Sequence, residues 1–150
     1  MAKPLSPEDL GEPALKLAGF QLWIHGREFP EARDFDDGNW LRVTAHCGAS
    51  GASVWAQGSI ITAADVEWFR RSCLALQLAE ATAAALDPFE PELRIIIEAA
   101  DRMGHLSVRV QITPDHLSQS HAFEFEIDQS YLPQIIDQCT RILKEYPIRR

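Results

Sequence analysis

The sequence predicts an α+β domain with two layers: about six mainly antiparallel strands in βββα-βββα order, and two amphipathic helices packed on one face of the sheet. Two observations support this prediction. Apolar and polar residues alternate over two sets of three segments, as in strands with one buried face. Each set is followed by a segment whose apolar residues recur at helical spacing. The chain has 150 residues, a length typical of one domain.

The first set predicts strands at 20–29, 39–47 and 52–61. The composition of GASG at 48–51 favours a tight turn between the last two, so the three strands should form an antiparallel meander. Alternate residues face the core: Phe20, Leu22 and Ile24, then Leu41, Val43, Ala45 and Cys47, then Val54, Ala56 and Ile60.

The first helix is predicted to begin after Thr62, which can form a capping box with Asp65. We expect the alanine-rich residues 79–86 to extend this helix as far as Pro88, because alanine favours helices and proline interrupts them. Its buried stripe comprises Val66, Phe69, Cys73 and Leu76.

The second set predicts strands at 93–100, 105–113 and 121–128. The last helix should begin near Ser130 and end at Pro147. Its apolar face comprises Leu132, Ile135, Ile136, Cys139, Ile142 and Leu143.

Residues 1–17 are expected to form a weakly ordered N-terminal extension to a single domain at 18–150, because they combine prolines and acidic residues without a regular pattern. They do not resemble a signal peptide.

No part of the sequence approaches the roughly 18 apolar residues that a membrane span requires. The three cysteines lie in apolar patterns, which is typical of reduced core residues in a cytoplasmic protein. We therefore expect a cytoplasmic protein that does not bind membranes.

The formal net charge is −8, which argues against direct binding of nucleic acid and favours basic protein partners. The acidic segment, EFPEARDFDD at 28–37, contributes most to this asymmetry. Such a run is usually a solvated loop, and the alternative is a surface that steers a partner. Its charged residues are Glu28, Glu31, Asp34, Asp36 and Asp37, with Arg33 as the single base.

Three tryptophans, Trp23, Trp40 and Trp55, lie on the polar side of their predicted strands. On neighbouring strands they would form a cross-strand cluster on the face away from the helices. Such a cluster beside arginine has the composition of a protein-binding hot spot. Alternatively, the N-terminal segment folds back over the indoles, since tryptophan is usually mostly buried. The same side of the strands carries His25, Arg27, Arg42, His46 and Gln57.

Enzyme motifs such as GxSxG, HExxH, the P-loop and GxGxxG do not occur in the sequence. Ser50 in the GASG turn has no predicted base beside it, and a serine without a base is not activated. His116 and His121 do not have the spacing of metal ligands. Cys47 lies on a predicted core face. We therefore expect no catalytic residue, no metal site and no cofactor.

Several short motifs occur in order along residues 20–149: NWLRV (39–43), the strand-to-helix run at 59–69 that contains EWF, FEPEL (89–93), FEFEID (123–128) and KEYPIR (144–149). In this order and spacing the chain resembles the WapI-type immunity proteins, small bacterial antitoxins paired with polymorphic contact-dependent toxins. It differs in its N-terminal extension, and in having Ser59 and Ile60 where the family has a proline–cysteine pair.

The resemblance implies a non-enzymatic protein that binds and blocks a cognate toxin domain, often a nuclease, but it identifies no contact residues. Two alternatives remain: a small-ligand-binding domain with its pocket between the sheet and the N-terminal segment, and a homodimer formed through the free sheet face. From the residues themselves, the predicted toxin contacts are Trp40 and Trp55, then Trp23 and Arg42, with Glu31, Asp34, Asp36 and Asp37 steering the partner.

Overall fold

A computed structural model describes residues 6–150, and this part of the chain forms two four-stranded antiparallel sheets and three α-helices. Short 3-10 turns lie at Pro7–Leu10 and Gln129–Tyr131. The elements are β1 (Leu15–Leu17), β2 (Phe20–Arg27), α1 (Phe35–Gly38), β3 (Trp40–Ala49), β4 (Ala52–Thr62), α2 (Ala63–Gln77), β5 (Ala83–Leu86), β6 (Leu93–Ala99), β7 (His105–Ile112), β8 (Ala122–Asp128) and α3 (Leu132–Glu145).

The predicted α+β class, antiparallel pairing and repeated strand-then-helix order are confirmed. The strands divide into two sheets, β1-β2-β3-β4 and β5-β6-β7-β8, so each predicted set of three gains one short strand. The predicted turn joins β3 to β4 through Ser50 and Gly51, whose φ angles of 50° and 86° suit a tight two-residue hairpin.

The prediction that the first helix continues through residues 79–86 is wrong. The helix α2 ends at Gln77, and Ala79 has a positive φ of 58°. The alanines that follow form β5, in which Ala84 pairs with Ile97 of β6. The backbone N–H of Ala85 also donates to Ser72 Oγ of α2 at 3.2 Å. Pairing with β6 and packing against α2 therefore override the helical preference of alanine.

The strand β1 lies inside the predicted N-terminal extension. Its residues Leu15 and Leu17 are buried, and they pair with Leu22 and Phe20 of β2. Residues 1–5 lie outside the described residues. The division of the chain at residue 17 therefore stays a prediction.

One hydrophobic core joins both sheets to α2 and α3. The predicted capping box of α2 is present, because Thr62 and Asp65 each accept a hydrogen bond from the other's backbone N–H. All three cysteines are buried, as predicted. The largest fully buried side chains are Phe20, Phe69, Leu17, Leu22, Leu41, Ile61, Leu86, Leu93, Ile95, Ile97, Ile112 and Leu132.

Candidate protein-binding site

Two of the three predicted tryptophans meet on the face of β2–β4 that points away from the core. Trp23 and Trp55 stack with ring centroids 6.1 Å apart, and the His46 ring lies 4.3 Å from that of Trp55. The register explains this cluster, because Trp23 pairs with Thr44 and Trp55 pairs with His46. We call these three residues the tryptophan face.

The N-terminal segment covers part of the tryptophan face. Trp23 is only 4% exposed, and its Nε1 donates to the carbonyl oxygen of Gly11 at 3.0 Å. His46 is 8% exposed; its Nε2 lies 2.7 Å from Ser53 Oγ, while Nδ1 has no hydrogen-bond partner. Burial lowers the pKa of His46, and the nearby Glu8 carboxylate partly opposes this shift. Trp55 remains half-buried.

Trp40 does not join this cluster. It pairs with Thr62 at the start of β3, six residues before His46, a separation of about 20 Å along a strand. It follows Asn39 directly, at the end of the acidic segment. The predicted contacts therefore fall into two groups, with Trp40 beside the acids and the other two indoles at the far end of the strand.

Arg42 lies in a polar depression of about 380 Å³ on the same sheet. β-Bulges interrupt the ladders on both sides of it, and Gly26 and Gly58 there have φ angles of 147° and 137°. Arg42 Nε lies 3.9 Å from a Glu28 oxygen that also accepts a hydrogen bond from Ser59. Arg42 is exposed and only weakly paired.

The acidic segment forms a loop and the short helix α1 on the surface. Asp34 is the N-cap of α1, and its carboxylate accepts from the backbone N–H of Asp37 at 3.1 Å. The four steering residues predicted from the sequence are all exposed: Glu31, Asp34, Asp36 and Asp37.

Three side chains, Arg27, Asn39 and Arg149, fasten the acidic segment to the C-terminus, and we call them the carboxyl-terminal clamp. Asn39 is 1% exposed; its amide donates to the carbonyls of Phe35 and Arg149, both at 2.9 Å, and accepts from the Arg149 N–H at 2.8 Å. The guanidinium of Arg149 donates to the carbonyls of Pro30 and Ala32 at 2.8 and 2.6 Å.

Arg27 completes the carboxyl-terminal clamp. Its guanidinium donates to the carbonyl of Gly38 at 2.7 Å and to that of Pro147 at 2.6 Å, and it lies 5.9 Å from the centre of the Tyr146 ring. Burial and the nearby Arg149 lower the pKa of Arg27. The bonds to Pro147 and Arg149 join segments more than 100 residues apart in sequence, so the acidic segment is fixed to the C-terminus.

A second aromatic surface was not predicted from the sequence. Trp68 of α2 is 67% exposed and Phe35 of α1 is 50% exposed, and both line a depression of about 310 Å³. We call it the α1–α2 patch. The helical stripe of Val66 and Phe69 could have indicated it, because Trp68 projects from the opposite side of that helix.

The three cysteines are buried among apolar residues. Burial raises the pKa of Cys47 and Cys139 to about 12 and raises that of Cys73 as well, so these thiols stay protonated and unreactive. Among residues 6–150 no group of three or more His, Cys, Asp or Glu side chains is arranged to hold a metal ion. No helix in this part of the chain is long and apolar enough to cross a membrane.

The sequence of this domain matches a known protein family. The model of the immunity protein WapI-like family matches residues 15–147. The chain belongs to this family. The match begins with β1 and ends two residues after α3, so it includes both sheets, the acidic segment, Asn39 and Arg27. No curated protein and no solved structure shows a significant match.

Membership confirms the resemblance indicated by the short motifs. WapI-like immunity proteins neutralise toxins, so a cognate toxin is the partner that membership implies. Such proteins are typically non-enzymatic.

Proposed function

We propose that the protein neutralises its toxin without catalysis. It binds a basic toxin domain, such as a nuclease, and occludes the surface that the toxin uses to act on its target. The observation that carries this proposal is the acidic segment, in which Glu31, Asp34, Asp36 and Asp37 are exposed while the backbone is held by the carboxyl-terminal clamp. Exposed charge steers the encounter with a basic partner. A surface that is already ordered also loses less entropy on binding.

The exposed Arg42 and the half-buried Trp40 are proposed as contacts on the side of the sheet nearer the acids, and the half-buried Trp55 as a contact at the opposite end of the strand. Tryptophan and arginine contribute more binding energy than most residues at protein interfaces. Trp23 is assigned a supporting role, because its indole stacks on Trp55 and is itself hydrogen-bonded to Gly11.

Co-expression tests the proposal. The chain would be produced with the C-terminal toxin domain of the large protein encoded immediately upstream, and growth and co-purification would be measured. We expect growth to be restored, and a complex to form whose association slows as salt concentration rises. Restored growth without a complex would contradict neutralisation by binding.

Charge-neutral variants test the steering role. Replacing Asp34, Asp36 and Asp37 with asparagine removes three charges and retains an effective N-cap. The association rate at low salt should fall about tenfold, with a much smaller change in dissociation. The matched control replaces Glu80, Glu98 and Glu126, which are exposed elsewhere, with glutamine. Equal slowing by both triple variants would show that net charge, rather than this segment, steers the toxin.

The tryptophan contacts have a separate test. Trp40→Ala should weaken the complex if this indole is at the interface. Trp55→Ala tests in the same way whether the indole at the other end of the β3–β4 hairpin contacts the toxin. Unchanged affinity in Trp40→Ala would remove that residue from the proposed contacts and leave the acidic segment.

A further inference from the structure

The segment before β1 covers the tryptophan face without burying residues of its own. We call residues 6–13 the N-terminal strap, and each of them, including Leu10, keeps part of its surface in contact with solvent. The hydrogen bond from Trp23 Nε1 to the Gly11 carbonyl fastens the strap over the sheet. The N–H of Ala14, which donates to the Leu22 carbonyl at 2.8 Å, holds the point where the strap enters β1. A segment with so little buried surface opens at a small fraction of the free energy of global unfolding.

His46, beneath the strap, has an unsatisfied polar atom. Its Nε2 lies 2.7 Å from Ser53 Oγ, but Nδ1 is buried and has no hydrogen-bond partner within residues 6–150. Trp55 packs on the ring at 4.3 Å, and Glu8 of the strap is near enough to act on its charge. A buried nitrogen without a partner costs free energy that hydration would recover. The residue that the strap covers therefore opposes its closure.

The groups around His46 determine how a proton changes this balance. Gln21 of β2 and Ser53 of β4 are neutral neighbours, and the charged side chain that acts on His46 is Glu8. The acids of the strap, all exposed, are Glu8, Asp9 and Glu12. Burial lowers the pKa of His46 more than the Glu8 carboxylate raises it, and the attraction of an exposed carboxylate is screened by salt. A proton on His46 therefore disfavours the closed strap, and the open strap binds that proton more tightly.

We infer that the N-terminal strap is a proton-sensitive cover, which lifts from the tryptophan face when His46 takes up a proton and exposes Trp23 and His46 beside Trp55. Opening gives His46 Nδ1 access to water and separates the Trp23 indole from Gly11, while β1 stays paired with β2. The inference concerns the free protein and does not depend on the proposed function. Under that function, a lifted strap would add two rings to the contact surface around Trp55.

Hydrogen exchange at the Trp23 indole N–H, followed by NMR on the full chain, tests the inference. The protection factor is taken relative to free tryptophan at the same pH, which removes the intrinsic effect of pH on exchange. From about pH 7.5 to about pH 5.5 this factor should fall about five- to tenfold, because His46 has its ordinary pKa of 6.5 under an open strap and a lower pKa under a closed one. His46→Gln should show no such fall. The matched control is His25→Gln, which should keep the fall, because His25 is an exposed histidine bonded to Thr44 on the same face of the sheet.

Constant protection of the Trp23 indole across this pH range in the unaltered chain, or an equal fall in His46→Gln, would overturn the inference. Backbone amides of β6 and β7 are measured in the same samples. Equal loss of protection there would mean global unfolding in place of strap opening, and would overturn it too. The His46 ring gives a readout that needs no variant, because it should titrate below 6.5 in the unaltered chain. Titration at or above 6.5 would show that the strap does not exclude the proton.

Discussion

Asn39 shows how one side chain positions a surface that it does not itself form. Its amide is buried and satisfies two carbonyls and one N–H, all from the acidic segment or the C-terminus. In the sequence Asn39 is only the first residue of NWLRV, and nothing in that motif indicates that its side chain is buried. Because two of its three bonds go to main-chain atoms of Arg149, 110 residues away, no local pattern could reveal the carboxyl-terminal clamp.

Asn39→Ala should lower the free energy of unfolding by about 2–3 kcal/mol, because it leaves buried backbone groups without partners. Amide exchange at Asp37 and Gly38 should accelerate as well. Urea denaturation and hydrogen exchange measure the two effects, with Gln134→Ala on the exposed side of α3 as the control. If both variants lose equally little stability, Asn39 does not hold the segment.

His46 should make stability depend on pH. Burial lowers its pKa in the folded state below the ordinary 6.5, so the unfolded chain binds the proton more tightly. Stability is therefore fully present above pH 6.5 and declines as pH falls through the folded-state pKa. His46→Gln should remove part of this decline.

The measurement is the urea midpoint as a function of pH for the unaltered chain and for His46→Gln. Asp101 raises the pKa of His105, so this exposed pair favours the folded state as pH falls, opposite to the effect of His46. Both proteins retain the pair, and its effect cancels in the difference. Parallel pH profiles for the two proteins would contradict the role given to His46.

At the level of elements, periodicity located the six longer strands and both long helices, and tertiary pairing decided the rest. The four residues of β5 look helical because alanine dominates them, and only β6 and Ser72 of α2 make them a strand. The division into two sheets depends on which strands pair, which alternation does not specify. The bulges beside Arg42 likewise could not be predicted from the alternation. The separation of Trp40 from Trp55, by contrast, follows from the predicted tight turn, which pairs Trp55 with His46 and leaves Trp40 at the other end of β3.

The capping box of α2 offers a test at this level. Thr62→Ala removes the acceptor at 3.1 Å from the Asp65 N–H and should destabilise the protein by about 1 kcal/mol. Thr82→Ala, at an exposed loop position, is the matched control for the loss of a threonine side chain. A similar midpoint in thermal unfolding for the two variants would show that the cap contributes nothing measurable.

For the whole molecule, hydrogen bonds from the C-terminus hold the backbone of the acidic segment in place. Deleting residues 147–150 removes the Pro147 and Arg149 carbonyls and the guanidinium that binds Pro30 and Ala32. We expect faster amide exchange across 30–38 and slower association with the toxin, while the exchange of β6 and β7 stays unchanged. Arg150→Ala is the control, because none of these bonds involves it. Uniformly faster exchange would mean that the deletion weakens the whole fold.

The carboxyl-terminal clamp has a consequence for how such a protein can change. Its side chains bind main-chain oxygens of Pro30, Ala32, Phe35 and Gly38, and bind no side chain of the acidic segment. The shape of the segment is thus largely independent of the residues it displays, apart from the cap at Asp34. Under the proposed function, substitutions at Glu31, Asp36 and Asp37 would therefore alter toxin specificity at little cost in folding, and the protein could diverge together with its toxin while the fold stays the same.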